Sequence, residues 1–203
     1  MSNTNPTVSL PKLWFLAPKH AVQRVEEDGK PFQEMVDLIS NAVTTVMARE
    51  FANQPQLEVG DTPEHFRKYI ERIIKADAKN YVSAEDFVKS HAYFFLKRPE
   101  LLDHYPGPET HKELVRREFT SCLTDVYTES NSWTHDSLAA ATEKAIAAIR
   151  DHPVENPKDK PKKKEIWRLL RAMLTGGEKG PSLIETMEML PPGAVLDRVR
   201  NFR

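Results

Sequence analysis

The stretch Trp167-Arg168-Leu169-Leu170-Arg171-Ala172-Met173-Leu174-Thr175-Gly176-Gly177-Glu178-Lys179-Gly180-Pro181-Ser182-Leu183-Ile184-Glu185 sets the fold of this chain. With Ile166 before it, Leu169, Leu170, Met173 and Leu174 complete an i, i+3, i+4, i+7, i+8 pattern, one apolar stripe of an amphipathic helix. Lys164, Arg168 and Arg171 lie off that stripe and form a basic ridge directed at solvent or at a ligand. Gly176-Gly177 stops the helix, because glycine takes the left-handed C-terminal cap at little cost. Pro181 precedes Ser182, and Ser182-x-x-Glu185 is a capping box that opens a second helix. Leu183, Ile184, Met187 and Leu190 give that helix its buried side. A short third helix follows, with Val195, Leu196, Val199 and Phe202 inward. These patterns predict a compact helical module with a basic ridge and a free helix N-terminus; they do not name a ligand.

The rest of the composition is that of a water-facing protein. Of 203 residues, 39% are hydrophobic and 29% charged, enough apolar content for one domain or two small ones. No run of 18 apolar residues occurs, so no membrane partner is expected. The single cysteine, Cys122, excludes an internal disulfide framework and suits a reducing compartment. With Phe119, Leu123 and Val126 around it, Cys122 reads as a buried structural thiol rather than a nucleophile. The net charge of −1 argues against a general nucleic-acid coat, but it is unevenly spread. From Pro153 onward lie 11 of the 29 Lys+Arg and 7 of the 30 Asp+Glu, so +4 there against −5 elsewhere. This asymmetry fits a phosphate-facing C-terminal surface, and equally a merely solvated face.

Read in order, the chain is a series of helices. Residues 9–27 form the first, with Leu13, Trp14, Leu16 and Val22 available for burial, and Asp28-Gly29-Lys30-Pro31 breaks it. Residues 32–51 form the second, with Met35, Leu38, Ile39, Ala42, Val43 and Val46 inward. Thr62-Pro63 is an N-cap with proline at the first helical position, and Phe66, Tyr69, Ile70, Ile73 and Ile74 make that helix's core face. Ser83 caps a short helix bearing Phe87 and Val88, followed by Phe94 and Phe95. Tyr105-Pro106-Gly107-Pro108 is a loop leading into a helix over residues 109–128. Thr134 is the N-cap of the next, with Asp136 favourably placed in its first turn. No convincing alternating strand appears, so the fold class is all-α. The boundaries fall into two packed helical subdomains, residues 7–98 and 99–203, with a Pro/Lys-rich linker at 153–164 in the second.

The words of the opening stretch add a resemblance. L-R-A-M-L-T-G-G-E-K-G-P-S-L-I-E resembles the end of bacterial-type and organellar glutamyl-tRNA synthetases, where an L-R-x-A-L-T-G element is followed by G-P and a further helix. Val8-Ser9-Leu10-Pro11-Lys12-Leu13-Trp14-Phe15-Leu16 followed by His20 resembles the K-L-x-F-L…H segment that opens their anticodon-binding region, especially in fungal mitochondrial members. Tyr93-Phe94-Phe95-Leu96-Lys97-Arg98-Pro99 and Ser132-Trp133-Thr134 with Leu138 resemble two further blocks in the same order. The likeness runs from about Thr7 to Phe202. It implies two helical subdomains that grip the anticodon arm, the arginine of the L-R element at Arg171, and Gly180, Pro181, Leu183 and Ile184 after the turn. A planar guanidinium reads or stacks on a base, and apolar residues beside a helix N-terminus pack an unstacked one while backbone amides meet phosphate. Arg168, Lys164 and Lys179 join them as phosphate contacts. Family members often carry arginines in the segment that reads here Ile73-Ile74-Lys75-Ala76-Asp77-Ala78-Lys79, one of them reading the third anticodon base. Lys75 falls at one such position and Asp77 at another, which would set a carboxylate against RNA.

The family's catalytic elements, of H-I-G-H and K-M-S-K type, do not occur in this sequence. Gly176-Gly177-Glu178-Lys179-Gly180 lacks the lysine–hydroxyl ending of a phosphate loop. The 7 histidines show no metal-ligand spacing, and no carboxylate pair forms an acid–base dyad. The resemblance therefore implies a tRNA-binding module without catalysis of its own and without a cofactor. ATP and magnesium belong only to a catalytic half elsewhere. The implied partner is tRNA, glutamate tRNA first, and the expected state is a monomer with no membrane contact. The implied location is the mitochondrial matrix, although residues 1–7 are no presequence, and otherwise the cytoplasm. Two alternatives stay open: a piece of a complete mitochondrial glutamate–tRNA ligase, and a repurposed scaffold in a ribonucleoprotein.

Overall fold

The computed structural model describes residues 10–99, 108–129, 133–153, 160–177 and 179–202, with side chains from residue 15 onward. The side chains of Leu13 and Trp14, most of the 105–108 loop, Ser132, Glu178 and the middle of the 153–164 linker lie outside the described residues. Within them the chain is all-α, with nine α-helices and no strand. An isolated antiparallel bridge joins Gln56 and Leu96. No helix among the described residues is long and apolar enough to cross a membrane. The chain divides into two compact units, residues 1–52 with 60–91, and residues 53–59 with 92–203.

The first unit holds α1 (Leu10–Glu27), α2 (Lys30–Glu50), α3 (Pro63–Asp77) and α4 (Ala84–Ser90), with α2 packed against the other three. The break between α1 and α2 is shorter than expected. Asp28, at φ 43°, and Gly29 make the whole turn, and α2 resumes at Lys30 because Pro31 suits a helix's first turn. The buried side of α2 runs through Phe32, Met35, Val36, Ile39, Val43, Val46 and Met47. Leu38, expected inward, is 57% exposed, and Ala42 is half-buried. Gly60 has φ +74°, and a Cβ there would sit 2.4 Å from the Phe66 nitrogen, so only glycine fits this turn. Thr62 then caps α3 by accepting from the His65 N–H at 3.2 Å, and Ser83 caps α4 by accepting from the Asp86 N–H at 3.2 Å.

The second unit holds α5 (Glu109–Thr128), α6 (His135–Asp151), α7 (Lys163–Thr175), α8 (Leu183–Met189) and α9 (Pro192–Arg200). α5 lies along α6, α7 and α9, and α7 also meets α8 and α9. The buried block Tyr93 to Leu96 is tied to residues 55–57 by the Leu57 N–H to Phe95 O bond at 2.7 Å and the Lys97 N–H to Pro55 O bond at 2.8 Å. Thr134 and Ser137 cap α6 reciprocally, and Trp133 Nε1 donates to Met187 O at 2.9 Å, which docks the start of α6 on α8. Val195, Leu196 and Val199 are buried, whereas Phe202 is half-buried.

Candidate nucleic-acid interface

α7 forms where the sequence pattern places it. Ile166, Leu169, Leu170, Met173 and Leu174 are all at most 2% exposed, each contributing about 1.5–3 kcal/mol relative to an exposed side chain. Its first turn is closed by Glu165, whose carboxylate accepts from the Lys162 N–H at 2.7 Å. Gly176, at φ 73°, ends it and donates its N–H to Ala172 O at 3.0 Å.

Burying that stripe turns Lys164 and Arg168 outward, and both are exposed. Lys179, across the glycine turn, is exposed as well. Among the described residues none of these three cations makes an ion pair or side-chain hydrogen bond, whereas Lys163 reaches Glu143 at 3.3 Å. Arg171 is half-buried, and its Nη2 donates to Pro181 O at 3.0 Å. It therefore does not stand on the open ridge as expected: it folds back over the turn and holds the end of α7 against the start of α8. Pro181 is buried, Gly180 and Ile184 are half-buried, and Leu183 is 5% exposed. Leu183 is thus a core residue, and Ile184 and Gly180 are the ones that border solvent.

The capping box expected at Ser182-x-x-Glu185 forms at the start of α8. Glu185 accepts from the Ser182 N–H at 2.9 Å and Ser182 Oγ accepts from the Glu185 N–H at 3.2 Å. The capping box thus uses two of the N–H donors at this helix start.

The first unit carries the remaining candidate, Lys75, and the carboxylate expected to oppose RNA. Asp77 is 1% exposed. Its carboxylate accepts from Asn80 Nδ2 at 2.8 Å and meets His91 Nε2 at 2.9 Å, while His91 Nδ1 meets Phe87 O at 2.8 Å. Asp77 is therefore a core node linking the end of α3 to the end of α4 and faces no ligand. Arg72, Lys75 and Lys79 point outward instead. Lys75 pairs with Asp28 at 3.5 Å and lies 5.1 Å from the centre of the Phe32 ring.

The sequence pattern missed Arg198. It is 3% exposed, and its guanidinium donates to Leu174 O, Tyr93 O, Leu96 O and Lys97 O. The one sequence signal was its place three residues after Val195, on the inward side of α9. Cys122 is buried, and burial pushes its thiol above the ordinary value, which keeps it protonated and unreactive at neutral pH. Among the described residues no group of three or more His, Cys, Asp or Glu side chains is placed to hold a metal ion.

The described chain is thus an all-helical module whose second unit presents an exposed cationic ridge beside a braced glycine–proline turn. The family of the anticodon binding domain matches residues 45–203, and the chain belongs to that family. Membership implies tRNA as the partner. A search among curated proteins found none that matches the chain.

Proposed function

We propose that this chain binds the anticodon arm of a tRNA, and of glutamate tRNA in particular, as the anticodon-binding region of a glutamyl-tRNA synthetase-like protein. The observation that carries this reading is the exposed, unpaired set Lys164, Arg168 and Lys179 around the Arg171–Pro181 corner, in a chain whose residues 45–203 match the anticodon binding domain. In this reading the lysines and Arg168 neutralise phosphates. Gly180 and Ile184, at the surface of a turn fixed by Arg171 and Pro181, accept an unstacked base against apolar atoms. Leu183 acts behind them as core. Lys75 adds a phosphate contact from the first unit.

The chain itself binds without catalysing, needs no cofactor and acts as a monomer in the mitochondrial matrix. Ligation with ATP and magnesium is the task of a class I catalytic half.

The test is a titration with glutamate tRNA, with the same tRNA carrying a changed anticodon, and with Arg171→Ala protein. The expected result is weaker binding in both altered cases, with strong salt dependence throughout. Equal affinity in all three would remove the anticodon reading. Because Arg171 also braces the turn, the variant's melting temperature is measured alongside.

A further inference from the structure

The second unit contains a half-open cavity of about 170 Å³ that shares none of the residues of the Arg171 corner. Pro99, Ala172, Met173 and Phe202 wall it with apolar atoms, and the buried Arg198 lines its inner side. Arg98 and Asn201, both exposed, stand at its mouth. None of these lining residues is acidic, and among the described residues Arg98 makes no ion pair or side-chain hydrogen bond.

The cavity is held open from two sides. Arg198 binds carbonyls of Tyr93, Leu96 and Lys97 and of Leu174, so the chain that carries Arg98 and Pro99 is fixed beside the end of α7. Arg116 Nη1 donates to Phe202 O at 3.3 Å, which fixes the opposite wall. A space kept open in this way binds without first ordering its walls.

Its size and lining select the occupant. The volume is well below the ~300–1,000 Å³ of pockets that enclose drug-sized ligands, and it has room for a single planar ring system. A proline ring, a thioether and a phenyl ring offer the faces on which bases stack. An exposed guanidinium at the mouth suits the phosphate that accompanies a base. We propose that this cavity receives one unstacked nucleobase of the bound RNA, with Arg98 against its phosphate, as a second base-holding site beyond the Arg171 corner. The proposal rests on the tRNA-binding reading above.

The decisive measurement follows the Met173 methyl signal by NMR, in full-length protein labelled with 13C-methyl methionine and assigned through Met173→Leu. A single-stranded heptaribonucleotide should shift this signal, and ribose 5-phosphate should not. Asn201→Trp, at an exposed position whose side chain bonds only Asp197 O at 2.9 Å, should abolish the shift and weaken the heptamer about tenfold, with the melting temperature measured alongside. Arg98→Ala should lower the slope of log affinity against log salt by about 0.7, the value for one single-strand phosphate contact. A Met173 signal that stays still while the heptamer binds overturns the proposal, as does a heptamer that does not bind. An equal shift with ribose 5-phosphate also overturns it, because the cavity would then be an anion site only. Intact tRNA separates the two readings. Binding that depends on Arg171 with Met173 unmoved discards only the cavity, whereas a Met173 shift with no preference for the anticodon discards only the anticodon reading.

Discussion

α3 and α7 are both amphipathic helices with a buried apolar stripe and a cationic outer face, yet their cations are used differently. On α3, Arg67 donates to Asp37 at 3.0 Å, to Glu71 at 2.8 Å and to Gln33 O at 3.2 Å. Lys68 meets Glu64 at 2.7 Å, a hydrogen bond that holds the lysine above and the glutamate below its ordinary value. On α7, Lys164 and Arg168 have no such partner among the described residues. Arg67 and Lys68 of α3 are thus paired internally, whereas Lys164 and Arg168 of α7 are not. Counting lysines and arginines on a helix does not separate these cases. The carboxylates within reach do, and for α3 two of them, Asp37 and Asp28, come from outside the helix.

The largest effects are expected where charge is buried. Asp77→Arg, which would install the arginine that the resemblance places there, should not create an RNA contact. It should remove the acceptor of Asn80 and His91 and force a guanidinium into a site that is 1% exposed. The expected cost is about 3–5 kcal/mol, read by denaturant unfolding, with no gain in tRNA affinity. Arg198→Ala should cost a similar amount in the second unit, because four backbone carbonyls lose their donor. A stable Asp77→Arg protein that bound tRNA more tightly would show that the end of α3 faces RNA after all.

These two residues also mark where the sequence stops being informative. The helices were legible because periodic burial writes itself into the chain every three or four residues, and the caps at Thr62, Ser83, Thr134 and Ser182 because each bonds only a few residues away. Asp77 is buried by a histidine fourteen residues on, and Arg198 by one carbonyl 24 residues back and three about a hundred residues back. No local pattern encodes such partners. Arg171 shows the same limit at the candidate site. It lies off the apolar stripe of α7, but the carbonyl that captures it lies across the glycine turn. Leu38 fails in the opposite sense: it is apolar, but it lies just off the stripe and is left in solvent.

The contrast between the two helices is broken most directly by removing their cations. The double variant Lys164→Ala/Arg168→Ala should keep its melting temperature and lose tRNA affinity for every anticodon sequence alike. Its salt slope should fall by about 0.7–0.9 for each phosphate contact removed. Arg67→Ala should do the reverse. It leaves Asp37 and Glu71 without their shared partner and lowers stability by about 1 kcal/mol, with tRNA affinity unchanged. If Arg67→Ala weakened tRNA as much as the double variant, the ion pairs of α3 would not be serving the fold alone.

Lys75 is the finest test, since it lies between the two categories. Its pair with Asp28 is long at 3.5 Å, and both side chains are about half exposed, so the interaction contributes at most a few tenths of a kcal/mol. Its ammonium also lies over the Phe32 ring, 5.1 Å from the centroid, a cation–π contact of about 0.5–1 kcal/mol at an exposed site. Lys75→Ala should therefore lower stability by about 1 kcal/mol at most, and a change in tRNA affinity measured well below the melting temperature reads an RNA contact rather than a loosened fold. The expected change is a loss of about twofold to fivefold, roughly 0.4–1 kcal/mol, accompanied by a lower salt slope. Lys75→Arg keeps the charge and should keep both. A variant whose affinity and slope match the parent would assign Lys75 to the same internal use as Arg67 and Lys68, and would leave the second unit as the source of the proposed phosphate contacts.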